Sequence, residues 1–171
     1  SCPIDGLIVA FSATDLIKQD AEERRRHARA VNARIQEVYS ALEVRAPVYV
    51  IFTKCDLIAG FNEFFSGLRS EEREQVWGIT FDIQESRQTD QALAAFPGEF
   101  DALIDRLTGR QLPRIQEARN LSERGSVLLF PQQMMLLRPA AEAFLAEAFA
   151  PSRYEAAVLL RGVYFTSATQ E

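Results

Sequence analysis

A chain of 171 residues, 47% of them apolar and 12 of them Phe, is long enough for one domain with a true core. Nineteen basic against 24 acidic residues leave a net charge of −5, which argues against nucleic-acid binding through phosphate neutralisation. No apolar stretch approaches the ~20 residues of a membrane-spanning helix, and no charged start followed by an apolar run reads as a signal peptide.

Asp5-Gly6 signals a turn, and Leu7-Ile8-Val9-Ala10-Phe11 after it is apolar on both alternating faces, as a buried parallel strand is. Asp20 and Glu23 then form a capping-box-like start. Ala28, Val31, Ile35, Val38 and Leu42 follow at steps of three and four, which predicts one amphipathic helix over 20–43. The charged run Glu22 to Arg26 reads as its solvated face, and His27 beside it as ordinary surface. After Pro47, the β-branched and aromatic run Val48-Tyr49-Val50-Ile51-Phe52 predicts a second strand. Strand, helix and strand make a right-handed crossover with parallel strands, and a ligand is expected beyond their carboxyl ends, near Ser12 and Thr53.

The middle of the chain reads as mostly helical. Leu57, Ile58, Phe61, Phe64, Phe65 and Leu68 share one short face, and a longer helix is expected from about Glu99 to Asn120, kinked by Pro113. Between them, Val76 to Phe81 reads as a short edge strand or a plug beneath a loop, with Trp77 in the core. Val127-Leu128-Leu129-Phe130, stopped by Pro131, is a third strand candidate. Leu136, Leu137, Ala140, Phe144 and Ala148 then predict a helix that Pro151 closes. The last strand lies near 162–166 and ends in Thr166-Ser167-Ala168. The whole reads as a single α/β domain over 1–171, a mostly parallel sheet with flanking helices and a mostly helical insertion over 57–125.

Cys2 and Cys55 lack CxxC or His spacing, so neither a disulfide framework nor a zinc site is indicated. Chemistry concentrates instead at Thr53-Lys54-Cys55-Asp56, directly after a buried strand, which resembles the [Asn/Thr]-Lys-x-Asp motif by which GTPases recognise guanine. A carboxylate at Asp56 can accept hydrogen bonds from the guanine ring N–H and exocyclic amine. The Lys54 stem can lie along the base, and the Thr53 hydroxyl can brace neighbouring loops. Ser167 and Ala168 resemble the Ser-Ala element that presents a backbone amide to the guanine oxygen. Thr53, Lys54, Asp56, Ser167 and Ala168 therefore form a candidate base site, expected together at one sheet edge with Asp56 partly accessible. A plain turn and helix cap at Lys54 and Asp56 is the alternative. No G-x-x-x-x-G-K-[S/T] occurs in the sequence, so the phosphate cradle on which phosphoryl transfer depends is lacking, and no hydrolysis is expected.

In this order, Pro3 to Val9, Pro47 to Asp56, Phe61 to Leu68, Val76-Trp77-Gly78, Phe130 to Gln133 and Leu160 to Ser167 resemble the IcmF/TssM family of type VI secretion inner-membrane proteins. The resemblance implies a cytoplasmic domain between membrane helices of a larger protein, and a P-loop GTPase-like fold whose phosphate-loop half lies upstream of Pro3. It implies a docking role toward the small cytoplasmic inner-membrane subunit and the baseplate. A switch that binds GTP or ATP with Mg in the intact domain is the alternative, and no cofactor is expected in this stretch alone. Ala168 departs from the family pattern, where many relatives carry glycine.

Overall fold

The computed structural model describes residues 4–66 and 77–167. Strand β1 (Leu7–Ser12) runs into a short helix α1 (Ala13–Lys18), whose first turn is capped by the Ser12 hydroxyl accepting from the Asp15 N–H. Helix α2 (Ala21–Leu42) starts where the sequence predicts: the Asp20 carboxylate accepts from the Glu23 N–H at 2.8 Å, satisfying one of the donors a helix start leaves open. It ends at Glu43, in the left-handed conformation at φ 52°. Strand β2 (Pro47–Thr53) follows, and then a single 3-10 turn over Cys55–Leu57 leads to α3 (Phe61–Phe65).

Strand β3 (Gly78–Thr80), α4 (Ile83–Arg87), the long α5 (Thr89–Glu117), α6 (Leu121–Met135) and α7 (Arg138–Phe149) precede β4 (Leu159–Phe165). Helix α5 begins ten residues earlier than the periodicity suggests and runs through both Pro97 and Pro113. One other expectation is corrected: the strand candidate Val127 to Phe130 lies inside α6, and the segment 13–18, to which the sequence assigns no element, is helical. Four successive apolar residues fit a buried strand or a buried helix equally well. The residues that α6 buries, Val127, Phe130, Pro131 and Met134, recur at helical spacing, and Asn120 caps its start by accepting from the Glu123 N–H.

The four strands lie in the order β1-β2-β4-β3. The first three are parallel, as predicted, with Val9 opposite Val50 and Val50 opposite Val163. The short β3 pairs antiparallel to β4 at the far edge, so Val76 to Phe81 contains an edge strand, although Val76 lies outside the described residues. One face of the sheet carries Val48, Val50, Phe52, Leu160, Val163 and Phe165, each at most 3% exposed. Above it, the Phe144 ring of α7 meets Phe11 and Phe52, and the Phe100 ring of α5 meets Phe165. Helix α2 is fastened to α7 by Asn32 donating to the Ala148 carbonyl at 2.8 Å and by the Arg29–Glu147 ion pair. No described helix is long and apolar enough to cross a membrane.

Candidate functional site

Because β1, β2 and β4 are parallel, their carboxyl ends meet at one edge of the sheet, where irregular backbone can display polar groups. There β2 and β4 are stitched together beyond the strands. The Thr166 N–H donates to the Phe52 carbonyl at 2.9 Å, and the Cys55 N–H donates back to the Thr166 carbonyl at 3.0 Å. On the other side the Thr53 hydroxyl donates to the Phe11 carbonyl at 3.4 Å, so this side chain braces β1 against β2.

The sharp departure from β2 is made at Lys54, which adopts φ 59°, ψ 32°. A left-handed backbone at a residue with a Cβ costs about 1–2 kcal/mol and persists only where the surroundings impose it. Here the imposing contacts are the Cys55 and Leu57 N–H groups, the latter donating to the Lys54 carbonyl at 3.2 Å. The turn leaves the Lys54 side chain exposed and sends Cys55 inward, where it is fully buried and its thiol donates to the Phe52 carbonyl. Burial pushes that thiol up to about 12, which makes Cys55 a packing group and not a nucleophile at neutral pH.

Asp56 follows, partly exposed. Its carboxylate accepts from the Ser167 hydroxyl at 3.3 Å, across 111 residues of sequence, and its backbone carbonyl accepts from the Asn62 side chain at 3.3 Å. Thr53, Lys54, Asp56 and Ser167 therefore share one edge. Ala168 lies outside the described residues. The sequence reading did not assign a role to the pair Ser12 and Thr14, whose hydroxyls meet at 2.9 Å at the end of β1, or to Asn62. The signal for the first was available: Ser-x-x-Asp after an apolar run is a helix-cap pattern. Among the described residues no group of three or more His, Cys, Asp or Glu side chains could hold a metal ion.

The profile of the IcmF-related N-terminal domain family matches residues 1–171. The chain belongs to that family. It is also 48% identical, over 169 residues and 99% of its own length, to a Pseudomonas aeruginosa protein named type VI secretion system component TssM1. The chain spans 15% of that relative. Comparison with solved structures finds no match. The loop described above thus belongs to an IcmF-related N-terminal domain whose sheet edge gathers two hydroxyls, a lysine and a carboxylate.

Proposed function

We propose that this domain is a structural, docking part of a type VI secretion membrane complex, lying on the cytoplasmic face of the bacterial inner membrane and joining other secretion subunits. The observation that carries this reading is the 48% identity along 169 residues to a protein named as a type VI secretion component. Its chemistry agrees with such a role. The residues at the sheet edge are spent on holding loops: Thr53 on β1, Cys55 on β4, and Asp56 on Ser167. In this reading the helices over 57–125 are an insertion that enlarges the surface offered to partner subunits.

A second reading is favoured by one specific contact, that between Asp56 and Ser167. It brings together the two elements that a GTPase-like base site uses, on neighbouring parallel strands in the matching chain order. In this reading the fold is GTPase-like, and the domain responds to GTP or ATP with Mg once a phosphate-binding segment is present. The residues fit a base better than a whole nucleotide, since Asp56 and Lys54 supply an acceptor and a stem while the sequence has no glycine loop for phosphates. Asp56→Ala in the full protein, followed by type VI-dependent secretion in the living bacterium, separates the two. The docking reading expects secretion at the unsubstituted level, above all in Asp56→Asn, whose amide oxygen can still accept from Ser167; secretion abolished by both substitutions at normal protein abundance favours the switch.

A further inference from the structure

The two faces of the sheet are treated differently. Opposite the buried face stand Ile8, Ala10, Tyr49, Ile51 and Tyr164, paired across the strands as Ile8 with Tyr49, Ala10 with Ile51, and Ile51 with Tyr164. Ile8 is 69% exposed, Ala10 is exposed, and the other three are partly exposed. Parallel strands are ordinarily covered on both faces, because their side chains are apolar on both. In this domain the composition of the second face matches that rule and its exposure does not.

The surface is also flat. A Cβ on Gly162 would stand 2.7 Å from the Tyr164 hydroxyl and 2.8 Å from its ring, so the absence of a side chain there lets the ring lie down along the sheet. Its hydroxyl is anchored to Thr80 Oγ1 at 2.7 Å, and the ring stacks with Tyr49 at 6.4 Å between centroids. The result is a low aromatic platform over β2 and β4 beside an aliphatic strip, Ile8 and Ala10, on β1. A surface of this shape accepts a helix with small and apolar residues at helical spacing. It continues around β1, whose outer edge has no strand partner among the described residues and which also lines an apolar groove of about 380 Å³ with Val31, Ile35 and Val38 of α2.

We propose that a helix from elsewhere in the same, longer polypeptide covers the Ile8, Ala10, Tyr49, Ile51 and Tyr164 face. This rests on the reading of the chain as one segment of a larger secretion component, for which the 15% share of the relative's length provides the chain needed. The face favours a resident segment over a transient partner because it offers aliphatic and aromatic groups, with the Tyr164 hydroxyl already engaged by Thr80, as obligate interfaces do.

The test uses the full-length protein, purified and monodisperse, carrying Ile8→Cys or Ala10→Cys. Both substitutions fall at exposed positions and leave the core intact. Maleimide labelling at each position is mapped by mass spectrometry and compared with the same protein in denaturant. A covered site reacts at least ~10-fold more slowly in the native protein, because the label must wait for local opening. That protection persists on dilution if the covering helix is in the same chain. Labelling within about twofold of the denatured rate, or protection that disappears on dilution or requires another protein, overturns the proposal. The readout is independent of secretion, so a failed docking role and a failed helix assignment give different results.

Discussion

The two faces of the β1-β2-β4 sheet are built from similar residues and lead different lives. On one, Phe52, Val50 and Val163 are sealed beneath α5 and α7, with ring contacts from Phe100 and Phe144. On the other, Ile8 is 69% exposed and Tyr164 partly exposed, its ring lying over the Gly162 backbone and beside the Tyr49 ring. The difference teaches that apolar sequence reports what a surface is suited to touch, while burial reports what it touches within this chain. Stability should therefore depend almost wholly on the first face.

The largest effect is expected from Phe52→Ala. It removes a ring packed between Phe144 and Phe165 and should cost about 3–5 kcal/mol in urea unfolding. A cost below about 1 kcal/mol would show that the faces are not so unequal.

Next comes alkaline pH. Burial holds the Cys55 thiol at about 12 against an ordinary 9.0, so the unfolded chain releases that proton first. The stability this thiol supplies is complete below pH 9 and is lost as pH rises toward 12. Cys55→Ala should remove that part of the slope, visible as a smaller drop in urea midpoint between about pH 8 and about pH 11 than the unsubstituted chain shows.

At the sheet edge, Lys54→Gly should leave stability unchanged or raise it by up to ~1 kcal/mol, whereas Lys54→Val should lower it by about 1–2 kcal/mol, since only the former relaxes the left-handed backbone. The smallest effect belongs to the open face: Ile8→Ser in the 171-residue chain should fall within about 0.5 kcal/mol of zero.

These contrasts also mark what the sequence could disclose. Strands β1 and β2 and helix α2 were legible because each has an unbroken apolar run or stripe with a recognisable boundary, such as the Asp20 cap that the structure forms. The third strand candidate failed on Val127 to Phe130, where length and flanking residues fit both states and only packing against α3 and α5 decides. Helix α1 went unseen because six residues carry too little periodicity. At the site, the approach of Asp56 to Ser167 was foreseeable from two motifs at the ends of parallel strands. The left-handed turn at Lys54 was not, since nothing in a lysine signals it. Nor could the sequence tell that the apolar second face would be left exposed or half-exposed among the described residues, because local sequence does not name its neighbours.

The proposed role, docking without nucleotide hydrolysis, meets its sharpest check in steady-state turnover of GTP and ATP with magnesium on the purified chain. It predicts phosphate release no faster than in buffer, for the chain and for Asp56→Ala alike, because the sequence has no loop to hold the phosphates. Turnover by the unsubstituted chain that Asp56→Ala abolishes, in preparations of equal purity, would contradict it.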